Sequence, residues 1–302
     1  MKKNLTPNFL KPGDAVTIIA TARKVNQAEI KPAIDFLKKQ GFEILLAKNL
    51  FKEYNQFSGT DKQRIHDLQS ALDNPKIKAI FIARGGYGTA RILDEIDYSK
   101  FLKHPKWIIG FSDITALLMD VYEKTNIQTL HGPMPLTFSW DKNSLHQTIY
   151  TLFGQSINYK FPNNNKLNKQ GSIKALLIGG NLSVLYANIS NLKKSFSKPY
   201  ILFLEDLDEY LYHIDRMMLA LKRGNYLNNM VGLVCGSFSE MKDNAVPFGL
   251  SAEQIICNYL PSSCIASTFD FPSGHQKINL PIKIGAITNL NVTKKKVLFS
   301  QL

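Results

Sequence analysis

The sequence predicts an α/β protein: an N-terminal flavodoxin- or Rossmann-like domain built on a parallel sheet, followed by a smaller, β-rich C-terminal domain. Short, almost wholly apolar runs alternate with helix-period segments through the first half of the chain, the pattern of βα units whose strands are buried on both faces. That pattern dissolves into polar sequence that includes Asn163-Asn164-Asn165, and a second block of apolar runs comes after it. The expected domains are therefore 1–140 and 171–302, with 141–170 as the connection. A chain of 302 residues with 44% hydrophobic content can fill two cores.

Ala15–Ala20 is a β-rich run after Pro12-Gly13-Asp14, and the segment from Asn26 to Gln40 has helical spacing and stops at Gly41. Phe42–Ala47 reads as a second strand. Thr60–Leu72 reads as a helix with Ile65, Leu68 and Leu72 on one face and Asp61 in its first turn. Ile77–Ala83 is a third strand, followed by Arg84-Gly85-Gly86-Tyr87-Gly88 and a helix over Thr89–Asp94. A fourth strand ends at Phe111. Ligands of such a sheet sit at the carboxyl ends of its strands, where both the glycine cluster and Ser112 fall. In the second block, Ser172–Ile178 reads as a strand, Gly179-Gly180-Asn181 as a turn, and a helix starts at Leu182. Pro199–Leu204 is a strand, and Asp215–Arg223 is a helix with Ile214, Met217, Met218 and Leu221 along one face. Val231–Gly236 is a further strand, and Ile265–Leu302 carries short β-like runs broken by Pro and Gly.

Charge and cysteine usage exclude several function classes. Only 20% of residues are charged and no tract is of low complexity, which argues for a globular protein. The net charge of +13 is spread over scattered lysines, its densest run being Lys294-Lys295-Lys296, and no nucleic-acid-binding motif accompanies it. It reads as a solvated surface that attracts anionic small molecules, with no nucleic acid as partner. Cys235, Cys257 and Cys264 form no CxxC pair or disulfide framework and read as buried thiols. Met1-Lys2-Lys3 resembles the basic start of a signal peptide, but Pro7, Pro12, Gly13 and Asp14 interrupt the apolar stretch such a peptide needs. No apolar run reaches the length of a membrane span. A cytoplasmic location without a membrane partner is expected.

Ser112 is the most informative position. Trp107–Ile109 is an apolar run that turns into the helix-period segment Ile114–Asp120 with only Gly110-Phe111-Ser112-Asp113 between. A serine at such a turn has an exposed hydroxyl beside the free N–H groups of a helix start, which stabilise an oxyanion. The same spacing suits Ser112 or Asp113 as an ordinary N-cap. A nucleophile needs a base and an orienting acid. Among the histidines, His66 falls in a helix, His104 and His146 in polar surroundings, His131 before the turn-like Gly132-Pro133, and His213 beside a charged helix start. His275 differs, standing in the constrained turn Phe271-Pro272-Ser273-Gly274-His275 after an apolar strand. Glu205-Asp206 ends the apolar run of Tyr200–Leu204, where a carboxylate needs a partner; Arg216 and Arg223 are alternatives to a catalytic one.

Taken together, Arg84-Gly85-Gly86-Tyr87-Gly88, Gly110-Phe111-Ser112-Asp113, His131-Gly132-Pro133-Met134, Gly179-Gly180-Asn181-Leu182, Leu204-Glu205-Asp206 and Gly274-His275 resemble the LD-carboxypeptidase family, which also includes the microcin C immunity hydrolases. The likeness runs from Leu10-Lys11-Pro12-Gly13-Asp14 to Asn279-Leu280-Pro281. It implies a Ser112–Glu205–His275 triad, with Ser112 as nucleophile, Glu205 as orienting carboxylate and His275 as general base. It also implies an oxyanion hole from the backbone N–H groups of Gly86 and Asp113, no metal, no cofactor, and a homodimer. Ile114 stands where a GxSxG nucleophile motif would have its second glycine, which counts against a lipase or esterase. Family members often carry Pro-Ser after the first strand; here Thr21-Ala22-Arg23 follows Ala20, so specificity in that loop is open.

The implied activity is release of terminal D-Ala from a cytoplasmic muropeptide tetrapeptide, or from a similar short peptide, by acyl transfer through Ser112. The substrate's free carboxylate calls for a cation, and Arg84 is a candidate by position. A microcin C-type immunity peptidase acting on a peptidyl- or aminoacyl-nucleotide amide shares the triad and is the alternative. A non-catalytic protein binding an anionic ligand is a third reading, although Gly85-Gly86-Tyr87-Gly88 lacks GxGxxG spacing and no GxxxxGK[ST] occurs.

Overall fold

Four of the apolar runs form adjacent strands of one sheet in the computed structural model, which describes residues 5–302. These are β1 (Ala15–Ile19), β2 (Glu43–Leu46), β3 (Ile77–Ile82) and β4 (Trp107–Gly110). Between and after them lie α1 (Gln27–Lys39), α2 (Asp61–Asp73), α3 (Ser99–Lys103) and α4 (Thr115–Thr125). Local signals set the helix starts: Asn26 with Glu29 and Thr60 with Gln63 form complete capping boxes on α1 and α2. Gly41, at φ +89°, follows the end of α1 in a conformation that a side chain would strain. Every residue of β1 and β4 is buried, whereas the edge strand β2 is half-exposed, as expected for parallel strands covered on both faces only in mid-sheet.

A fifth strand, β5 (Thr129–His131), lies where the sequence suggests a turn, and His131 is fully buried in it. A strand this short carries no periodicity of its own. The helix α5 (Lys142–Leu152) and the strand β6 (Ile157–Pro162) correct the expectation that 141–170 is a bare connection. Both are buried on one side only: Leu145, Ile149 and Leu152 face inward on α5, and β6 alternates buried Ile157 and Tyr159 with exposed Asn158 and Lys160. Such diluted apolar content reads as polar sequence.

The chain divides into two units, one running to Gln155 and including Leu280–Ile284, the other comprising Ser156–Asn279 and Gly285–Leu302. The second unit continues with β7 (Gly171–Asn181), α6 (Leu182–Asn188), β8 (Tyr200–Leu207), α7 (Leu211–Arg223), β9 (Met230–Ser239), α8 (Ala252–Asn258) and β10 (Ala266–Thr268). Next comes β11 (Ile282–Ile284), which joins the first sheet antiparallel to β5, and then β12 (Ile287–Val292) and β13 (Lys296–Gln301) complete the second.

The first sheet has the order β11-β5-β4-β3-β1-β2, a flavodoxin-like arrangement with one antiparallel edge strand. The second has the order β10-β9-β8-β7-β12-β13-β6, with its β10-to-β7 half parallel and its β7-to-β6 half antiparallel. Burial follows pairing: β8 is buried from Tyr200 to Asp206, while β12 and β13 alternate. Gly179-Gly180-Asn181 is not a turn but the end of β7. A Cβ on Gly179 would come within 2.0 Å of the Phe203 carbonyl, so glycine here permits close approach of β8.

Candidate active site

Ser112 opens a single 3₁₀ turn, Ser112–Ile114, between β4 and α4. Its φ is +65°, a left-handed conformation that costs a non-glycine residue about 1 kcal/mol and clusters at functional sites. Two glycines make room for this turn. A Cβ on Gly110 would meet Ile114 at 2.8 Å, and one on Gly85 would meet the Ser112 Cβ at 2.9 Å and Oγ at 3.0 Å. The glycine loop after β3 therefore lies directly against the Ser112 side chain. The N-cap alternative does not hold, because neither the 3₁₀ turn nor α4 has a side-chain cap.

Asp113 instead reaches across to that loop. Its buried carboxylate accepts the Thr89 N–H at 2.9 Å. The Thr89 hydroxyl is 2.8 Å from that of Thr21, in the loop after β1. Arg64, fully buried on α2, donates through Nη1 to the carbonyls of Thr21 at 2.5 Å and Gly88 at 2.9 Å. Its Nη2 pairs with Asp61, which also holds Arg91 at 2.7 Å. Three loop segments at the carboxyl ends of β1, β3 and β4 are thus tied into one polar network. Gly86, at φ +113°, lies within this frame and is solvent-exposed. Arg84, half-buried, donates to the Lys24 carbonyl at 3.4 Å.

In the second unit, Glu205 is fully buried within β8 rather than beyond its end, and its Oε2 lies 2.6 Å from His275 Nδ1. His275 is a partner of this carboxylate. Burial alone lowers the His275 pKa, but the adjacent Glu205 charge and hydrogen bond outweigh it and leave the imidazole above its ordinary value. The carboxylate fixes Nδ1 as the protonated nitrogen, which leaves Nε2 as the basic one.

The His275 turn is built for this contact. Gly274, at φ +117°, has no room for a side chain: a Cβ would lie 2.7 Å from Glu205 Cβ and 2.9 Å from its Oε2. Asn279 Oδ1 accepts the Gly274 N–H at 2.9 Å, and the Ser239 hydroxyl donates to the His275 carbonyl at 2.6 Å. Beside Glu205, Asp206 has its pKa raised to about 7 by burial and by the Glu205 charge, against the hydrogen bonds it accepts from Leu207, Ser183 and Asn181.

Family models match both halves of the chain: the LD-carboxypeptidase N-terminal domain over residues 16–132 and the LD-carboxypeptidase C-terminal domain over residues 174–290. The chain belongs to the LD-carboxypeptidase family. It is accordingly a carboxypeptidase, a hydrolase of the serine peptidase class. Among LD-carboxypeptidase relatives, the probable murein peptide carboxypeptidase of Bacillus subtilis is 32% identical over 97% of this chain and 93% of its own length. The murein tetrapeptide carboxypeptidase of Pseudomonas aeruginosa is 28% identical, covering 86% and 87% of the two chains. The crystal structure of muramoyltetrapeptide carboxypeptidase from Oxalobacter formigenes superposes with a TM-score of 0.85 at 26% identity, over 95% and 98%. The microcin C7 self immunity protein MccF has the same fold, with a TM-score of 0.88 at 22% identity over 99% of each chain.

Of the residues singled out in the sequence, Ser112, Asp113, Gly86 and Arg84 stand in the first unit of this LD-carboxypeptidase, and Glu205 and His275 meet in the second. Arg64 escaped sequence reasoning, Thr89 and Asn279 entered it only as bounds of a helix and of the family likeness, and Thr21 and Arg23 stood out only as a departure from the family pattern. Arg64 had a readable signal, since it shares a helical face with buried Leu68 and Ala71, where a charge has no business without a partner. The polar contacts of the others join segments that their local sequence does not connect.

Proposed function

We propose that this chain is a serine LD-carboxypeptidase that hydrolyses the L,D-peptide bond of muropeptide tetrapeptides and releases the terminal D-Ala. Ser112 is its nucleophile, His275 its general base and Glu205 the carboxylate that orients His275. The backbone N–H groups of Gly86 and Asp113 form its oxyanion hole. The observation that carries this reading is the 2.6 Å bond between the fully buried Glu205 carboxylate and His275 Nδ1. A carboxylate so buried is costly unless paired, and buried pairs of this kind cluster at functional sites. The strained turn at Ser112 supports the same reading from the other unit.

These assignments set the chemistry. His275 Nε2 takes the Ser112 proton, and the Ser112 oxygen attacks the scissile carbonyl. The two amides stabilise the resulting oxyanion, each by ~3 kcal/mol. His275 then protonates the leaving amine of D-Ala. Water, deprotonated by the same histidine, hydrolyses the acyl-enzyme. The raised His275 pKa makes Nε2 a stronger base toward the Ser112 proton. Arg84 enters as a cation at the end of β3. A cytoplasmic location and a homodimer complete the reading, the homodimer carried by the family resemblance. Among the described residues no helix is long and apolar enough to cross a membrane.

The test is mass-spectrometric detection of D-Ala released from a defined tetrapeptide by wild type and by Ser112→Ala. Release by wild type alone supports the proposal. Equal turnover by Ser112→Ala refutes the nucleophile. Turnover of an aminoacyl-sulfamoyl nucleotide in place of the tetrapeptide assigns the immunity-peptidase activity instead.

A further inference from the structure

Arg23 comes after β1, and Gly86 after β3. These strands are neighbours in the order β2-β1-β3-β4-β5, and the chain leaves them toward opposite sides of the sheet. The crevice above the carboxyl ends of two such strands is where a doubly wound sheet receives its ligand. The Arg23 backbone is anchored there from both sides. The Thr21 carbonyl is held by Arg64 at 2.5 Å, the Ser58 N–H donates to the Ala22 carbonyl at 3.0 Å, and the Lys24 N–H donates to the Gln56 carbonyl at 3.0 Å. Arg23 itself bridges to Phe57.

The Arg23 side chain is exposed, and its stem lies beside Gly86. A Cβ at position 86 would meet Arg23 Cδ at 2.5 Å, Cγ at 2.7 Å and Nε at 2.9 Å. A side chain there would displace the arginine stem. Neighbouring cations are already engaged: Arg64 and Arg91 hold Asp61, and Lys24 holds Glu53. Arg84 donates to the Lys24 carbonyl. Among the described residues the Arg23 guanidinium has no acidic partner, so its fork is open to a ligand.

We propose that Arg23 is the residue that receives the free terminal carboxylate of the substrate. The inference rests on the carboxypeptidase reading above, in which Gly86 binds the oxyanion. In a peptide cleaved at its last bond, the terminal carboxylate carbon lies three bonds of about 1.5 Å or less from the scissile carbonyl carbon. A receptor for that carboxylate must therefore adjoin the oxyanion donor. Arg23 is in van der Waals contact with Gly86. A planar guanidinium can bind a carboxylate through two parallel hydrogen bonds, which lysine cannot.

The experiment compares a tetrapeptide ending in a free carboxylate with its C-terminal amide. Affinity for each is measured by calorimetry on Ser112→Ala and on Ser112→Ala/Arg23→Gln, and turnover is measured on wild type and Arg23→Gln. Ser112→Ala should prefer the acid over the amide on the order of 10–100-fold, and Arg23→Gln should remove most of that preference. In turnover of the acid, Arg23→Gln should raise KM more than it lowers kcat. Arg84→Gln should change the acid-to-amide ratio less. An unchanged ratio in Ser112→Ala/Arg23→Gln overturns the proposal, as does equal loss for both ligands. Absence of D-Ala release by wild type would instead overturn the proposed D-Ala-releasing activity, since the two binding ratios are measured without turnover.

Discussion

Replacing Arg64 by Met removes the cation that ties the loop after β1 to the loop after β3 while keeping a side chain long enough to fill the space. Arg64 is fully buried and supplies hydrogen bonds to the Thr21 and Gly88 carbonyls as well as the pair with Asp61. Its guanidinium also lies 4.7 Å from the centre of the Phe57 ring. Hydrogen bonds from a charged donor are worth about 1.5–3 kcal/mol each, and breaking a buried charged network costs about 3–5 kcal/mol. Asp61 keeps Arg91, which limits the loss on that side. A destabilisation of about 3–5 kcal/mol corresponds to a drop in thermal midpoint of roughly 6–20 °C. Activity should fall as well, because the freed Gly85–Gly88 loop no longer holds the Gly86 amide in place. Loss of one oxyanion donor costs about 3 kcal/mol, or on the order of 100-fold in kcat. KM should change far less. Arg64→Lys should fall between, since one ammonium cannot reproduce the fork. The assays are a calorimetric scan and steady-state D-Ala release. A midpoint within about two or three degrees of wild type, together with kcat within about twofold, would refute the claim that this network preorganises the loop.

Gly274→Ala should destabilise by about 2–4 kcal/mol, since the new methyl meets Glu205 and Ser237 at 2.7 Å on a backbone at φ +117°; chemical denaturation measures this, and activity should fall with it. Glu205→Gln should lower kcat on the order of 10³–10⁴-fold by removing the carboxylate that sets the His275 tautomer. It should also move the acid limb of the kcat/KM profile to lower pH: the Glu205 charge raises the His275 pKa, and without it burial lowers that pKa. In wild type the stability due to this pair is fully present below the unfolded histidine value of about 6.5 and is lost as pH rises through the raised folded value; Glu205→Gln should flatten that dependence in denaturation curves. Ser112→Gly should abolish turnover yet be about 1 kcal/mol more stable than Ser112→Ala in denaturation, because only glycine relieves the strain of φ +65°.

The parallel first sheet was legible because its central strands are apolar at nearly every position, a signal local to each segment. Half-buried elements were not, since β6 and α5 show apolar residues only on their inward sides. The family pattern singled out Ser112, Glu205 and His275, and local chemistry explained why each residue type suits its place. It could not reveal that Asp113 uses its carboxylate to hold Thr89, because that bond spans 24 positions of chain.

The sequence by itself determined the strand-to-helix turn at Ser112, the glycine loop, the buried run leading to Glu205 and membership of the family, for each depends on neighbouring residues or on short motifs in order. Only the tertiary structure decided the contacts: Glu205 with His275 across 70 positions, Arg64 with Thr21 across 43, and Arg23 over Gly86. Polar side chains carry no periodicity that points to their partners. Which of them meet is set by strand order and loop path, and those exist only once the sheets have formed.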